Sequence, residues 1–203
     1  MLFESVETQK RLQFEKISKQ QAFSFMKQST NREPLYKELE NALCINNSEH
    51  MLIKYNGYSI GCIGIVFAKK VERYDGIYLC LSAGILNSNC IHKTMYISYL
   101  EIINQKVREI GVSAIDIIAS VFENIKTYAK VEQIDYIIAA GKDFRRNIMY
   151  IRGGFVKAFD DLQIEKYYKI KFGITPMLRY SLTDKAEQYI ITLHHKIKNL
   201  IKA

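Results

Sequence analysis

The chain has 203 residues, 48% of them hydrophobic and 25% charged, which is enough apolar side chain for one substantial core. Only 2 prolines occur and no Gly/Ser-rich or Pro-rich stretch interrupts the chain, so a single domain over residues 1–203 is expected. The longest apolar run, Ile60 to Ala68, is less than half of the roughly 20 residues that a membrane-crossing helix needs. The stretch from Met1 to Lys16 mixes acidic and basic residues where a secretory leader needs an unbroken apolar segment, and a cytoplasmic location is expected.

The four cysteines, Cys44, Cys62, Cys80 and Cys90, stand far apart with no C-x-x-C pair and no neighbouring His pair, so they read as reduced thiols and no metal site is expected. Cys62 and Cys80 lie inside apolar runs and read as small buried hydrophobes. The formal charge of +8 draws polyanions of any kind, from nucleic acid to lipid headgroups to the phosphates of a nucleotide. No basic stripe interleaved with aromatics and no recognition-helix motif accompanies it, which argues against a nucleic-acid partner.

In chain order, Leu12 to Ile17 alternates apolar with polar residues as a half-buried strand does, and Ser18 stands where a helix cap belongs. The helix it opens carries Ala22, Phe23, Phe25 and Met26, and a second helix is expected from Pro34 with Leu35, Leu39, Ala42 and Leu43 on one face. Met51 to Tyr55, Asn56-Gly57 and Tyr58 to Ala68 form a hairpin pattern, since Asn and Gly tolerate the positive φ of a type I′ turn. Ile77 to Leu86, after Tyr74-Asp75-Gly76, reads as a third successive strand buried on both faces.

From Thr94 to Ile110 the apolar positions recur at mostly helical spacing, and Gly111 supplies a stop. A further helix over Ser113 to Val131 has its face at Ile115, Ile118, Val121, Phe122, Ile125, Tyr128 and Ala129. Ile134 to Ala140 is a short strand. Gly141-Lys142-Asp143 opens a helix that stops at Gly153-Gly154, and Phe155 to Ile170 reads as one or two strands. From about residue 184 to 202, Ala186, Tyr189, Ile190, Leu193, Ile197, Leu200 and Ile201 line one face opposite Lys185, His195, Lys196, Lys198 and Lys202. This basic amphipathic helix can pack on its own domain, pair with a second subunit as a homodimer, or lie on anionic membrane; self-packing fits its narrow stripe best.

The order strand, two helices, hairpin, strand, helix, strand, helix, strand resembles the GNAT superfamily of N-acyltransferases, and the segment DFRRNIMYIRGGF sharpens the likeness. Asp143 stands where the family has Asn, Met149-Tyr150 matches its apolar-Tyr pair, and Gly154-Phe155 matches its Gly-Phe at the same spacing. The fold this implies is α/β, a mixed central sheet flanked by helices, here with an extra helix before the fifth strand and the C-terminal amphipathic helix.

The activity implied is transfer of an acyl group from acetyl-CoA or another acyl-CoA to a small-molecule or peptide amine acceptor. Tyr150 would be the acid that protonates the departing thiolate, because a phenol is a donor that stays protonated at neutral pH. In the family, backbone amides at a helix start wrap the donor's pyrophosphate within a pattern of Arg or Gln, two residues, Gly, one residue, and Gly or Ala. With a helix beginning at Thr94, the stretch aligned to that loop is Asn87 to Lys93. The residues expected at the donor are then Ser82, Asn87, Cys90, Ile91, His92 and Lys93, with neither glycine of the pattern present.

Two alternatives share the fold: a binding or regulatory protein without turnover, and an acyltransferase fed by acyl carrier protein thioesters. The second follows from a likeness in layout to the N-acyl amino acid and acyl-homoserine lactone synthases. No carboxylate lies within Ile77 to Leu86, where several family members keep a general base, and none is assigned. Cys90 and His92 are two residues apart at a helix start, which points their side chains apart and argues against a Cys-His nucleophile. His194-His195 reads as solvated, and Arg145, Arg146 and Arg152 as a basic face that can meet a phosphate or water.

Overall fold

A computed structural model of the chain describes residues 12–29, 48–68, 94–140, 144–157, 166 and 177–202. Strand β1 (Leu12–Ile17) leads into helix α1 (Lys19–Ser29). The join is a reciprocal cap, in which Gln21 N–H donates to Ser18 Oγ at 3.2 Å and Ser18 N–H to Gln21 Oε1 at 2.8 Å, satisfying two backbone donors at once. Strands β2 (Ser48–Tyr55) and β3 (Tyr58–Ala68) form the expected hairpin. Asn56 and Gly57 have φ of 49° and 82°, both in the left-handed region that a type I′ turn requires.

The stretch read as one helix from Thr94 to Ile110 is a strand, β4 (Thr94–Ile102), followed by a short helix, α2 (Asn104–Glu109). The residues carry both patterns. Met95, Ile97 and Tyr99 alternate at the period of a strand, whereas Leu100, Ile103, Val107 and Ile110 are spaced three or four apart, and the β-branched and aromatic content of the first half decides it. Met95, Tyr96 and Ile97 are all buried, as in a strand covered on both faces.

Helix α3 (Ala114–Val131) follows and precedes the fifth strand, as expected. Its buried residues include Ile117, Val121, Phe122, Ile125 and Ala129, whereas Ile115, expected inside, is exposed. Strand β5 (Tyr136–Ala140), helix α4 (Phe144–Arg152) and strand β6 (Val156–Lys157) come next. Of the strands expected between Phe155 and Ile170, β6 is the described part, and Lys166 is helical. Strand β7 (Met177–Ser181) had no counterpart in the sequence reading; helix α5 (Asp184–Lys202) has the expected bounds. The helix expected from Pro34 and the strand expected at Ile77 to Leu86 lie outside the described residues.

The strands form a seven-stranded sheet in the order β1-β2-β3-β4-β5-β7-β6, with β1/β2, β2/β3, β5/β7 and β6/β7 antiparallel. The chain groups into two compact units, Met1–Val66 with Ile97–Thr127, and Phe67–Tyr96 with Tyr128–Ala203. In the first, Ala22 and Met26 of α1 pack on Cys62 of β3, with Ile17, Phe23, Phe25 and Tyr99 around them. In the second, Tyr136 hydroxyl donates to the Ala186 carbonyl at 2.6 Å, and the buried Arg179 of β7 pairs with Glu187 of α5, its Nη2 2.9 Å from Oε1. Among the described residues no helix is long and apolar enough to cross a membrane, and none group as a metal site.

Candidate active site

With β4 a strand, the step from strand to long helix runs through Ile103 to Ser113. Ile103 N–H still reaches the Ile60 carbonyl at 2.8 Å, so the edge of β4 stays tied to β3 before the chain turns into α2. Lys106 and Arg108 occupy the last turn of α2, and Lys106 Nζ stands 4.6 Å from the centroid of the Phe25 ring, a cation–π contact that joins this turn to α1. Gly111 N–H then bonds the Arg108 carbonyl at 3.0 Å, with φ of 70° at Gly111. Among the described residues, nothing apart from its chain neighbours lies within 4 Å of where its Cβ would be. The glycine is therefore there for its backbone angle and not for want of space.

Ser113 opens α3, its carbonyl accepting from Ile117 N–H at 3.1 Å. The residues Arg108-Glu109-Ile110-Gly111-Val112-Ser113 thus stand directly before the long helix, and they carry Arg, two residues, Gly, one residue and Ser. That signal was present in the sequence. It is masked by the helical spacing of Leu100, Ile103, Val107 and Ile110, which makes Gly111 look like the stop of a helix from Thr94.

Tyr150 lies near the end of α4 and is buried. Its carbonyl accepts from Phe155 N–H at 3.0 Å, and Gly154 N–H bonds the Ile151 carbonyl at 2.9 Å with Gly154 at φ 87°, a left-handed helix stop that folds Phe155 back. The Phe155 ring meets Tyr150 edge-on, centroids 5.3 Å apart, and Tyr180 of β7 at 5.7 Å. The Gly-Phe spacing thereby holds the tyrosine ring in one pose. Arg152 is exposed, and the side chains of Arg145 and Arg146 lie outside the description. Ser82, Asn87, Cys90, Ile91, His92 and Lys93 lie outside the described residues.

A further polar cluster crosses β2, β3 and β4. His50 Nδ1 is 2.9 Å from the Tyr99 hydroxyl, His50 Nε2 is 3.0 Å from Ser48 Oγ, and Cys62 Sγ is 3.5 Å from the Tyr99 hydroxyl. Burial, with Lys19 nearby, holds the His50 imidazole below its ordinary range. Burial pushes the Cys62 thiol up to about 11, and it pushes the Tyr99 phenol up with Cys62 as a further cause. All three groups are neutral at neutral pH. Sequence reading missed them because their partners are strands apart; Cys62 was recognised only as a buried thiol, which it is.

The sheet order and its helices are those of the GNAT fold. Among solved structures, FeeM, an N-acyl amino acid synthase from uncultured soil microbes, matches over 86% of this chain and 92% of its own at 14% identity, with a TM-score of 0.52. The N-acetyltransferase PseH of Campylobacter jejuni matches over 85% of this chain and 99% of its own at 9% identity and a TM-score of 0.47. A chimera of spermidine N-acetyltransferase SpeG from Vibrio cholerae and hSSAT does so over 89% and 98% at 10% and 0.46. The fold comparison rests on FeeM, and at that identity it concerns the course of the backbone. No protein-family model matches the sequence, and no curated protein does.

Proposed function

We propose that the protein transfers an acyl group from an acyl-CoA thioester to an amine, with the donor's pyrophosphate at Arg108 to Ser113 and Tyr150 as the acid. The observation that carries this reading is the left-handed Gly111 between an arginine in the last turn of α2 and the start of α3, on the connection that follows β4. First-turn amides of a helix have no partner within the helix and bear the positive end of its dipole, so they suit a phosphate, and Arg108 adds a charge. Ser113 departs from the family's Gly or Ala by one small hydroxyl. This placement replaces Asn87 to Lys93 as the donor loop.

A CoA thioester supplies an activated carbonyl carbon. The amine nitrogen bonds to that carbon, the carbon–sulfur bond breaks with its electron pair going to sulfur, and the Tyr150 phenol gives the thiolate a proton. FeeM is an N-acyl amino acid synthase, which makes amino acids the first acceptors to try.

Thermal unfolding with acetyl-CoA, longer acyl-CoAs and free CoA tests the donor site, since a ligand of the native state raises its melting temperature. A saturable rise that Arg108→Ala weakens is expected. Tyr150→Phe is expected to keep the rise and to lower thiol release by about 10²–10⁴-fold, the usual weight of one positioned proton donor. No rise with any CoA compound would overturn the acyl-CoA donor and leave carrier-protein thioesters or a non-catalytic role.

A further inference from the structure

The polar cluster has a shape that packing alone does not require. His50 on β2 and Tyr99 on β4 belong to strands with β3 between them, and they meet because the residue paired with His50 across the hairpin is Gly64. With no side chain on Gly64, the Tyr99 ring lies over its Cα and stacks on the imidazole, centroids 5.9 Å apart with planes 18° from parallel. His50 is 4% exposed, whereas Tyr99 and Ser48, at the two ends of its hydrogen bonds, are both only half-buried. A buried imidazole thus joins the hydroxyls of two half-buried residues.

From the geometry we infer that Tyr99 accepts the proton leaving the acceptor nitrogen while passing its own to His50 Nδ1, with Ser48 as the exit. The inference rests on the acyltransferase reading and supplies the proton acceptor that reading lacks. Its position fits: Phe25 packs among the residues around Cys62 and Tyr99 and also carries Lys106 on its ring, so the cluster adjoins the turn that leads to Arg108. Ser98 Oγ, buried and without a hydrogen-bond partner among the described residues, lies beside the Tyr99 ring at Gly64.

The protons balance along one direction of the chain. The Cys62 thiol donates to the Tyr99 oxygen, the Tyr99 hydroxyl to His50 Nδ1, and His50 Nε2–H to Ser48 Oγ; one lone pair of the Tyr99 oxygen is left for an N–H of the acceptor. As the carbon–nitrogen bond forms, the nitrogen loses a proton to Tyr99, which loses its own to His50. The imidazolium then releases its Nε2 proton past Ser48; once product has left, Nε2 regains a proton from solvent, Nδ1 returns its own to Tyr99, and Tyr99 gives up the proton taken from the acceptor to water. Tyr99 is the group that touches the acceptor, and His50 is a positioning residue that acts through it. The groups facing His50 are Lys19 of α1, Ile17 of β1, Cys62 and Gly64 of β3 and Tyr99 of β4; Lys19 disfavours a lasting imidazolium, which suits transient proton passage.

Two measurements test this. In thiol-release assays, His50→Gln and Tyr99→Phe are expected to lower kcat by about 10²-fold or more with KM for the donor unchanged, and His50→Gln to abolish the acidic limb of the pH profile. Both variants keeping wild-type kcat and pH profile would overturn the inference. Independently of turnover, nitrogen NMR of the wild-type imidazole, assigned with His50→Gln, is expected to show a neutral ring protonated on Nε2; a proton on Nδ1 would overturn it. An enzyme that shows the expected tautomer but neither binds CoA nor releases thiol with any acyl-CoA overturns the acyl-CoA reading and, with it, the role given to Tyr99.

Discussion

The Tyr99 ring occupies the volume that a side chain on Gly64 would need, since a Cβ there would lie 2.3 Å from Tyr99 Cε1 and 2.6 Å from Ser98 Oγ. Gly64→Ala must push the ring aside and break its hydrogen bond to His50, so a loss of about 1–3 kcal/mol, the usual cost of overpacking, is expected in denaturant unfolding. The same imidazole ties stability to pH. Its folded value lies below the ordinary 6.5 because of burial first and Lys19 second, so the unfolded chain binds a proton more readily. Stability from this group is therefore complete above about pH 6.5 and declines as the pH falls below it. The melting temperature of the wild type should drop between about pH 7 and pH 5 by more than that of His50→Gln; equal slopes would show that other groups control the acid response.

At the scale of elements, local chemistry and long-range pairing were legible to very different degrees. Ser18 with Gln21, Asn56-Gly57 and Gly154 each carry a start, a turn or a stop within a few residues, and each element they bound lies where the sequence placed it. Thr94 to Ile110 holds two periodicities end to end, and reading them as one hides β4 and starts a helix at Thr94. The His50–Tyr99 contact spans 49 positions and exists only because the β2/β3 register, shifted between Ile53 and Lys54, sets Gly64 opposite His50, a pairing a single sequence does not display. The same holds for α5. Its apolar stripe is visible in the sequence, but what ties its first turn to β7 is Glu187 against the guanidinium of Arg179, whose side chain is 3% exposed beside a half-exposed carboxylate. Glu187→Ala should cost about 1–3 kcal/mol, less than for a fully buried pair because solvent reaches the carboxylate. Replacing both partners by apolar residues, Arg179→Met with Glu187→Leu, should recover most of that loss, which urea titration of the three proteins would measure.

For the whole molecule, the net charge of +8 raises the question of whether any anion would imitate a donor. Diffuse attraction acts over the Debye length, about 10 Å at 0.1 M salt, and is screened as salt is added. Backbone amides at the start of α3 would make short directional contacts with a donor phosphate, which screening weakens much less. The two contributions separate in one experiment. Heparin should raise the melting temperature at about 0.05 M salt and lose that effect by about 0.3 M, with wild type and Arg108→Ala behaving alike. An acyl-CoA should keep most of its effect over the same range and lose much of it in Arg108→Ala. If instead the acyl-CoA effect fades with salt as the heparin effect does and ignores Arg108, the phosphates are held by the general positive surface, and the turn from Arg108 to Ser113 is a helix start with no donor to hold.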